Sequence, residues 1–571
     1  MFFLQTRAER KKRELWPELQ DHYQKRLMLM GVSFTCILFL LIGRLAYIQL
    51  MKGHDYKNRA MRQWFKELPA GINRGKIYDR NMIPLTNRNK SSYLILYPDI
   101  FQRSQENLEI ISELTKISPY VLKYEVLASH RPIQLEVKNY DINFIKKVFT
   151  MRGVYPIDRE ERYSRNGLAS HVIGYINKID NVGSKGIEKQ LDDILTENQS
   201  DMLGAIVDAQ KRMIPGLGYK TIESNPGKIK KNIVLTIDYR VQRIIEEAFD
   251  KYHQKGSVVV LDAQNGDILG MVSRPNYDQN NVAAYLESNN KELYNRAVQM
   301  AYPPGSVFKI VVAAAALEYG LVDLKDTFYC KGYEKIDGVV MKCNSYEDGG
   351  HGEINLEKAF AVSCNSAFIQ LGQQVGGKKV MEMAKNLGFG SPTNIELPEE
   401  TKGNLPSEDY MKGAGIGNIS IGQGTLEATP LQIAKLTSVI ANDGVMRDIR
   451  LLKKIVDEKG NVLQENFPEK SSRVLSEGTA RKIQQMMEKV VKEGTGSKIH
   501  LDDFGGAAGK TGSAEAFSEG RPVVHAWFTG YFPLKTPKYI ITIIIEGGGG
   551  GGKVAAPLFH EIGERIALLE K

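Results

Sequence analysis

Cysteine is scarce, with 4 among 571 residues, and that excludes a scaffold knitted by disulfides. Long apolar runs are nearly absent as well, and a mean hydropathy of -0.30 excludes a multi-pass membrane protein. Neither sign of charge dominates: 76 lysines and arginines stand against 67 aspartates and glutamates, a net +9. That modest surplus suits work near an anionic surface or polymer, but it is not a nucleic-acid footprint by itself. Internal repeats are missing, and residues 50–225 show no metal or nucleotide motif. What is present is the balance of a folded globular chain, 42% hydrophobic and 25% charged residues. Its length exceeds what one core usually organises, so at least two domains are expected.

The one long apolar run sets the compartment. No residue from Leu27 to Gly43 is charged, and the apolar character continues to Leu50, broken only by Arg44. At about 1.5 Å per helical residue, Leu27 to Leu50 would span roughly 36 Å, enough for a hydrocarbon core near 30 Å. Arg44 stands near one end, where its side chain can snorkel to the headgroups. The alternative, a cleaved signal peptide, needs a small-x-small site after the run, whereas Leu45-Ala46-Tyr47-Ile48 follows. Arg7, Arg10, Lys11, Lys12, Arg13, Lys25 and Arg26 precede it and favour a cytoplasmic N-terminus. Lys52, Lys57, Arg59 and Arg62 on the far side weaken that asymmetry. The expected layout is a cytoplasmic tail at 1–26, a single anchor at 27–50 and the rest of the chain outside.

An extracytoplasmic location permits disulfides. Cys330 and Cys343 could close a short loop, adding about 3 kcal/mol if unstrained, or remain two free thiols. His351 is near in sequence, but the scattered candidates lack zinc-ligand spacing, so no metal site and no cofactor are expected.

Residues 51–227 are polar and mixed, with strand-like pieces such as Tyr93 to Tyr97. Ser224-Asn225-Pro226-Gly227, followed by Lys228, Lys230 and Lys231, reads as a linker. Beyond it, Val258 to Leu261, a turn at Asn265-Gly266, and Ile268 to Val272 predict a strand–turn–strand unit. Further strands are expected at Ala526 to Phe532 and Tyr539 to Ile545, helical stretches between, and a last helix from Pro557 to Leu569. Strands at both ends with helices between predict an α+β domain at 228–571, one mainly antiparallel sheet covered by helices. The six glycines from Gly547 to Gly552 read as a flexible loop at a strand end.

Chemistry enters at Pro303-Pro304-Gly305-Ser306-Val307-Phe308-Lys309. Prolines and glycine stop regular structure, and Val307 to Tyr319 then predicts a helix closed by Gly320. Ile310 to Leu317 is apolar on every side, so that helix should be buried. Ser306 would stand at its N-terminus, where the dipole favours developing negative charge. Lys309 follows one turn later on the same face. Burial lowers a lysine's pKa and makes it a candidate base, and a serine hydroxyl needs such help to become a nucleophile. Alone the pattern is weak, because Ser288-Asn289-Asn290-Lys291 also matches it. Ser363-Cys364-Asn365 follows, which could also be an ordinary capped helix start. Lys510-Thr511-Gly512 comes last, within a small-residue stretch that lets a substrate approach the backbone.

Ser-x-x-Lys, Ser-x-Asn and Lys-Thr-Gly in that order form the signature of penicillin-binding proteins and serine β-lactamases. The chain resembles the class B (monofunctional) penicillin-binding proteins over nearly its whole length beyond the anchor, the group that includes penicillin-binding protein 2-like D,D-transpeptidases. Arg74 to Asn81 and Gly183 to Glu188 look like that family's pedestal motifs, read here as structural contacts rather than catalysis. Ile421-Gly422-Gln423-Gly424 and Ala526 to Tyr531 also look like family segments. The resemblance implies an elongated pedestal at 51–227 before the transpeptidase domain.

It further implies that Ser306 attacks the penultimate D-alanine carbonyl of a peptidoglycan stem peptide while Lys309 takes its proton. Ser363 and Lys510 would relay that proton to the departing D-alanine. Asn365, Thr511, Gly512 and Ser513 would bind substrate, with the Ser306 and Ser513 N–H groups as the oxyanion hole. β-Lactams would acylate the same serine. A polytopic membrane glycan polymerase is the implied partner, and no nucleic acid is expected. Ser513 stands where threonine is commoner in the family. The rivals are a β-lactamase, for which no deacylating glutamate can be assigned, a β-lactam sensor, which would need a larger cytoplasmic part, and a catalytically idle scaffold, whose motifs should have decayed.

Overall fold

The computed structural model describes residues 5–53, 55–56, 65–68, 74–129, 131–164, 167–178, 180–196, 202–214, 217, 219–222, 229–466, 471–518 and 520–570. The expected linker at Ser224–Lys228 lies outside them, as do Lys57, Arg59 and Arg62. The chain divides into two compact units: residues 1–70, 92–157 and 202–222 in the first, and 71–91, 158–201 and 223–571 in the second.

In the first unit, helix α1 (Gln5–Ala46) continues through one π-helical turn, Tyr47–Met51. From His22 to Met51 this helical stretch is long and apolar enough to cross a membrane, with a mean hydropathy of 2.1. Among the described residues nothing buries its apolar window. The expected strand at Tyr93–Tyr97 belongs to Asn89–Leu96, the middle strand between Ile133–Glu136 and Val154–Glu161. Leu94, Leu96, Leu108, Ile111 and Leu114 pack with Leu135 and Val148 into a small core.

The second unit is built on five antiparallel strands: β1 (Gly256–Asp262), β2 (Ile268–Arg274), β3 (Ala508–Ser518), β4 (Arg521–Phe532) and β5 (Tyr539–Ile545), in the order β2-β1-β5-β4-β3. Gly266, at φ +78, makes the turn between the first two, where the sequence places it. β1, β2 and β5 are buried along nearly their whole length because both sheet faces are covered. One face, through Val259, Leu261, Ile540 and Ile544, joins a core with the helices Lys309–Glu318 and Pro430–Ala441. The other, through Val258, Val260, Ile541 and Ile543, packs on Tyr239–Asp250 and Gly551–Leu568. Side chains alternate across a strand, so neighbouring valines and isoleucines serve opposite layers.

The two motifs read as structural contacts bond to each other in this unit. Glu188, fully buried, accepts from Arg74 Nε (3.0 Å), Arg162 Nε (2.7 Å) and the Tyr163 hydroxyl (2.9 Å). Arg74 also reaches Asp192 Oδ1 (2.7 Å). Asp79, equally buried, accepts from the backbone N–H groups of Asn81, Ile83 and Tyr239, the last opening the helix Tyr239–Asp250.

Candidate active site

Pro303 and Pro304 lead into Gly305, whose φ of +54 turns the chain into a 3-10 turn, Gly305–Phe308, before helix α2 (Lys309–Glu318) begins. Ser306 therefore sits in a tight turn rather than just ahead of an α-helix at Val307. Residues 309–317 of α2 are all buried, as its apolar pattern demands, and Gly320 closes it at φ +64. The other Ser-x-x-Lys match, Ser288 to Lys291, lies in a turn without a helix.

Lys309 Nζ, at the buried start of α2, donates to the Ser363 carbonyl (2.8 Å), Ser363 Oγ (3.3 Å) and Asn365 Oδ1 (2.7 Å). Lys510 Nζ donates to Ser363 Oγ (2.9 Å) and to the Thr511 carbonyl (3.2 Å). One hydroxyl thus stands between two buried amines. Ser306 Oγ makes no hydrogen bond among the described residues and is partly open to solvent. Burial drives Lys309 down to about 8, with the nearby Cys364 and Cys343 sulfurs opposing that fall. Burial, and then the charge of Lys309, push Lys510 well below the ordinary lysine range. Such a site discourages protonation of both amines at once, which leaves one available as a base.

Ser363 holds a left-handed backbone, φ +60, sparsely populated for a residue with a side chain and a recurrent feature of functional sites. The cap of the helix that follows, α3 (Asn365–Val375), is Cys364, whose Sγ accepts from the Ala367 N–H (3.4 Å). The capping function available to Ser363 and Asn365 has passed to the residue between them, leaving both polar side chains to the site. Asn365 Nδ2 donates to the Lys342 carbonyl (3.1 Å).

Lys510, Thr511, Gly512 and Ser513 lie on β3, the outermost strand of the sheet. Its glycine and small residues hide a strand that propensity alone does not predict. The strand abuts the turn that carries Ser306: a Cβ on Gly305 would lie 2.8 Å from the Ser513 carbonyl, and one on Gly512 3.1 Å from the Pro304 carbonyl. Thr511 Oγ1 bonds to Thr495 Oγ1 (2.5 Å). Gln423, its amide oxygen toward the Glu515 N–H (2.9 Å) and its nitrogen toward the Glu515 carbonyl (3.3 Å), pairs with the strand just beyond Ser513. Gly422, at φ +72, accepts from the Gly305 N–H (2.9 Å). Trp527 Nε1 donates to the Pro303 carbonyl (3.1 Å). The segments around Gly422 and Trp527 thus brace the turn that carries Ser306.

The glycine run is not one loose loop. Gly551 and Gly552 open the last helix, Gly551–Leu568, which starts earlier than the expected Pro557. Gly551 N–H donates to Ser513 Oγ (3.3 Å), and a Cβ there would fall 2.2 Å from the Trp527 carbonyl and 2.4 Å from the Gly512 carbonyl. Those obstacles are backbone atoms of β3 and β4, so a side chain at this position must displace the Lys-Thr-Gly strand. Gly551→Ala is expected to slow penicillin acylation about 100-fold, the cost of a misplacement near 1 Å. Gly478→Ala, at a helical glycine with open space around it, should leave the rate unchanged. Equal rates for the two variants would show that the strand tolerates the shift.

A second cluster lies against the site, and it corrects the sequence expectation that no metal-ligating set exists. Cys330, Cys343, His351 and Cys364 place their ligand atoms within 4.8 Å of one another. His351 Nδ1 is 3.5 Å from Cys330 Sγ and 3.6 Å from Cys343 Sγ, and the Cys343 and Cys364 sulfurs are 3.7 Å apart. Tetrahedral zinc, with bonds near 2.3 Å to sulfur and 2.0–2.1 Å to nitrogen, sets these separations at about 3.8 Å for sulfur pairs and about 3.6 Å for sulfur to nitrogen. The donor set fits that ion. All three cysteines are free thiols, so Cys330 and Cys343 form no bridge. Spacing failed to reveal the set because its members come from the end of one short strand, two loops and a helix cap.

Residues 256–564 match the penicillin binding protein transpeptidase domain, and residues 69–228 the penicillin-binding protein dimerisation domain. The chain belongs to the penicillin-binding protein transpeptidases. It is 31% identical to stage V sporulation protein D of Bacillus subtilis, over 94% of this chain and 85% of that protein. It is 30% identical to the peptidoglycan D,D-transpeptidase MrdA of Haemophilus influenzae, over 95% and 91%. Among solved structures, penicillin binding protein 3 of Mycobacterium tuberculosis complexed with aztreonam superposes with a TM-score of 0.62 at 26% identity, covering 89% of this chain and 97% of that one. The family's three motifs converge here on Ser363: Lys309 comes from the first, Ser363 and Asn365 from the second, and Lys510 from the third.

Proposed function

We propose that this protein crosslinks peptidoglycan as a serine D,D-transpeptidase, with Ser306 forming the acyl-enzyme. The observation that carries the reading is the pair of buried amines, Lys309 and Lys510, on either side of Ser363 Oγ. Neutral Lys309 takes the Ser306 proton as Oγ attacks the penultimate D-alanine carbonyl. The tetrahedral oxyanion is held by the N–H groups of Ser306 and Ser513, where one donor is typically worth about 3–4 kcal/mol. Ser363 and Lys510 pass a proton to the departing D-alanine nitrogen. Asn365 turns from Lys309 and the Lys342 carbonyl to the substrate amide, while Thr511 and Ser513 hold the terminal carboxylate beside Gly512, where no side chain intrudes. The amine of a second stem peptide then attacks the ester, and the crosslink forms as Ser306 is released. β-Lactams enter the same sequence and stop at the ester.

The same reading divides the chain into a cytoplasmic tail (1–26), an anchor (27–50), a pedestal (51–227) and a transpeptidase domain (228–571), the last two outside the cell membrane. It also calls for a polytopic glycan polymerase as partner, since the matched domains include no glycosyltransferase. Co-purification from solubilised membranes checks that partner, and recovery of the chain without any polymerase counts against it.

The reaction is tested with a synthetic stem peptide ending in D-Ala-D-Ala and an acceptor amine. One D-alanine released per crosslink is expected. A base with a pKa lowered to about 8 is charged below that pH and free above it. Acylation should therefore climb as pH rises through about 8 and then level off. D-alanine release without crosslinking, or a rate falling with pH across that window, contradicts the reading.

A further inference from the structure

We propose that Glu546 is a positioning residue for acylation: its carboxylate ties the segment that leads into Ser306 to the glycine run behind Ser513, and so sets the spacing of the two oxyanion N–H groups. The inference rests on the transpeptidase reading for the oxyanion it serves, and on hydrogen bonds alone for the tie.

Glu546 follows β5 and stands just ahead of the glycines. Its Oε1 accepts two bonds at once, from Arg296 Nε (2.7 Å) and from the Tyr302 hydroxyl (2.7 Å). The Glu546 side chain is 17% exposed and that of Arg296 2%, so water competes little for either bond. Arg296 is itself held fast. Its Nη1 and Nη2 donate to the Lys291 and Asn290 carbonyls (3.1 and 2.9 Å), and its backbone N–H donates to Ser273 Oγ (3.0 Å). Burial, and then the charge of Glu546, push the Tyr302 hydroxyl well above the ordinary tyrosine range, so it keeps its proton and goes on donating.

Each end of the tie leads to one half of the oxyanion hole. Tyr302 immediately precedes Pro303-Pro304-Gly305-Ser306, and its backbone pairs with Ala428 in both directions (3.0 and 2.9 Å). Its ring meets Trp527 edge-on, with centroids 6.1 Å apart. Two prolines of fixed φ then pass that placement on toward Ser306. At the other end, Gly547 N–H donates to His525 Nδ1 (3.2 Å) and Gly549 N–H to the Val524 carbonyl (2.9 Å), which stitches the run to β4. Gly551 N–H then reaches Ser513 Oγ (3.3 Å). His525 closes the circuit by packing edge-on against Tyr302, centroids 5.5 Å apart. Without the carboxylate, Arg296 keeps a buried charge with no counter-charge from Glu546, and the Tyr302 hydroxyl loses this acceptor. The approach to Ser306 and the run behind Ser513 then shift independently. An oxyanion hole works only while both donors reach one oxygen, at about 2.7–3.1 Å.

The test uses the full chain in detergent, as parent, Glu546→Ala, Glu546→Gln, Tyr302→Phe, and Tyr302→Phe combined with Glu546→Ala. Stopped-flow mixing with a chromogenic cephalosporin separates noncovalent affinity from the acylation rate constant, and adduct stoichiometry counts the competent molecules. Glu546→Ala should lower the rate constant about 100-fold, the cost of a misplacement near 1 Å. Noncovalent affinity should stay within about threefold, because the lost interaction matters only in the transition state. A boronic acid that binds Ser306 Oγ as a tetrahedral adduct, one oxygen in the oxyanion's place, should lose affinity by the same factor as the rate. Glu546→Gln keeps an oxygen able to accept both bonds and should return the rate to within about fivefold of the parent. Tyr302→Phe should slow acylation about tenfold, and add nothing when Glu546 is already alanine. Three results overturn the proposal: surviving Glu546→Ala molecules that acylate at the parent rate, boronic acid affinity that holds while acylation slows, or Glu546→Gln as slow as Glu546→Ala. If Glu546→Ala does not fold, Tyr302→Phe decides, and a parent-like rate there overturns the proposal as well. A parent chain that forms no adduct ends the transpeptidase reading itself, whereas a parent that acylates beside an equally fast Glu546→Ala ends only this inference.

Discussion

Lys309→Ala is expected to slow penicillin acylation about a thousandfold, within the range that a general base supplies. The loss follows from placement rather than from charge alone. Lys309 Nζ is fully buried, bonded to Ser363 and Asn365, and one turn from Ser306. Lys510, the other buried amine of the site, bonds to Ser363 Oγ from a different element, the Ala508–Ser518 strand. Lys309→Arg should not rescue the rate, because a guanidinium keeps its proton at any working pH. The climb of the wild-type rate through about pH 8 should vanish in both variants. Acylation of Lys309→Ala within tenfold of the wild type, measured by stopped-flow mixing with a chromogenic cephalosporin, would assign the base elsewhere, with Lys510 the next amine in reach of Ser363.

The largest effect on stability is expected at Glu188→Ala, a loss of about 3–5 kcal/mol in the second unit. The carboxylate holds two buried guanidiniums, Arg74 and Arg162, together with the Tyr163 hydroxyl. Removing it strands both positive charges where water does not reach them. Asp192 still pairs with Arg74, so Arg162 bears most of the damage. Replacing the three charges together, Arg74→Met with Glu188→Leu and Arg162→Met, should recover much of the loss, because the desolvation cost disappears with the charges. Urea unfolding followed through penicillin binding reads both effects. A loss below about 1 kcal/mol for Glu188→Ala would mean that the network is hydrated.

These predictions draw on different depths of legibility. Ser306 and Lys309 were readable because a helix turn brings residues three apart together, so the chemistry is written in local spacing. Ser363, Asn365 and Lys510 were readable only through the order of the three motifs, since nothing local marks them. The strand of Lys510–Ser513 escaped propensity because its small residues are there for close approach, not for filling a pleated surface. Gly551 looked like slack, yet the carbonyls of Gly512 and Trp527 leave it no room for a side chain. The four-residue thiol–imidazole cluster escaped entirely. Its members converge from strand end, loops and helix cap, and no one-dimensional spacing encodes that. Cys364 in particular reads as a spacer between Ser363 and Asn365, and its role as helix cap and potential ligand emerges only when the loops are folded onto it.

The central claim, that Ser306 is the acylated nucleophile, is tested most directly by the intact mass of the 50–571 fragment after exposure to benzylpenicillin, beside Ser306→Ala. The account predicts a stable adduct of one drug molecule on the parent fragment and none on the variant. An adduct that persists in Ser306→Ala, or drug hydrolysis without a lasting adduct on the parent, would contradict it.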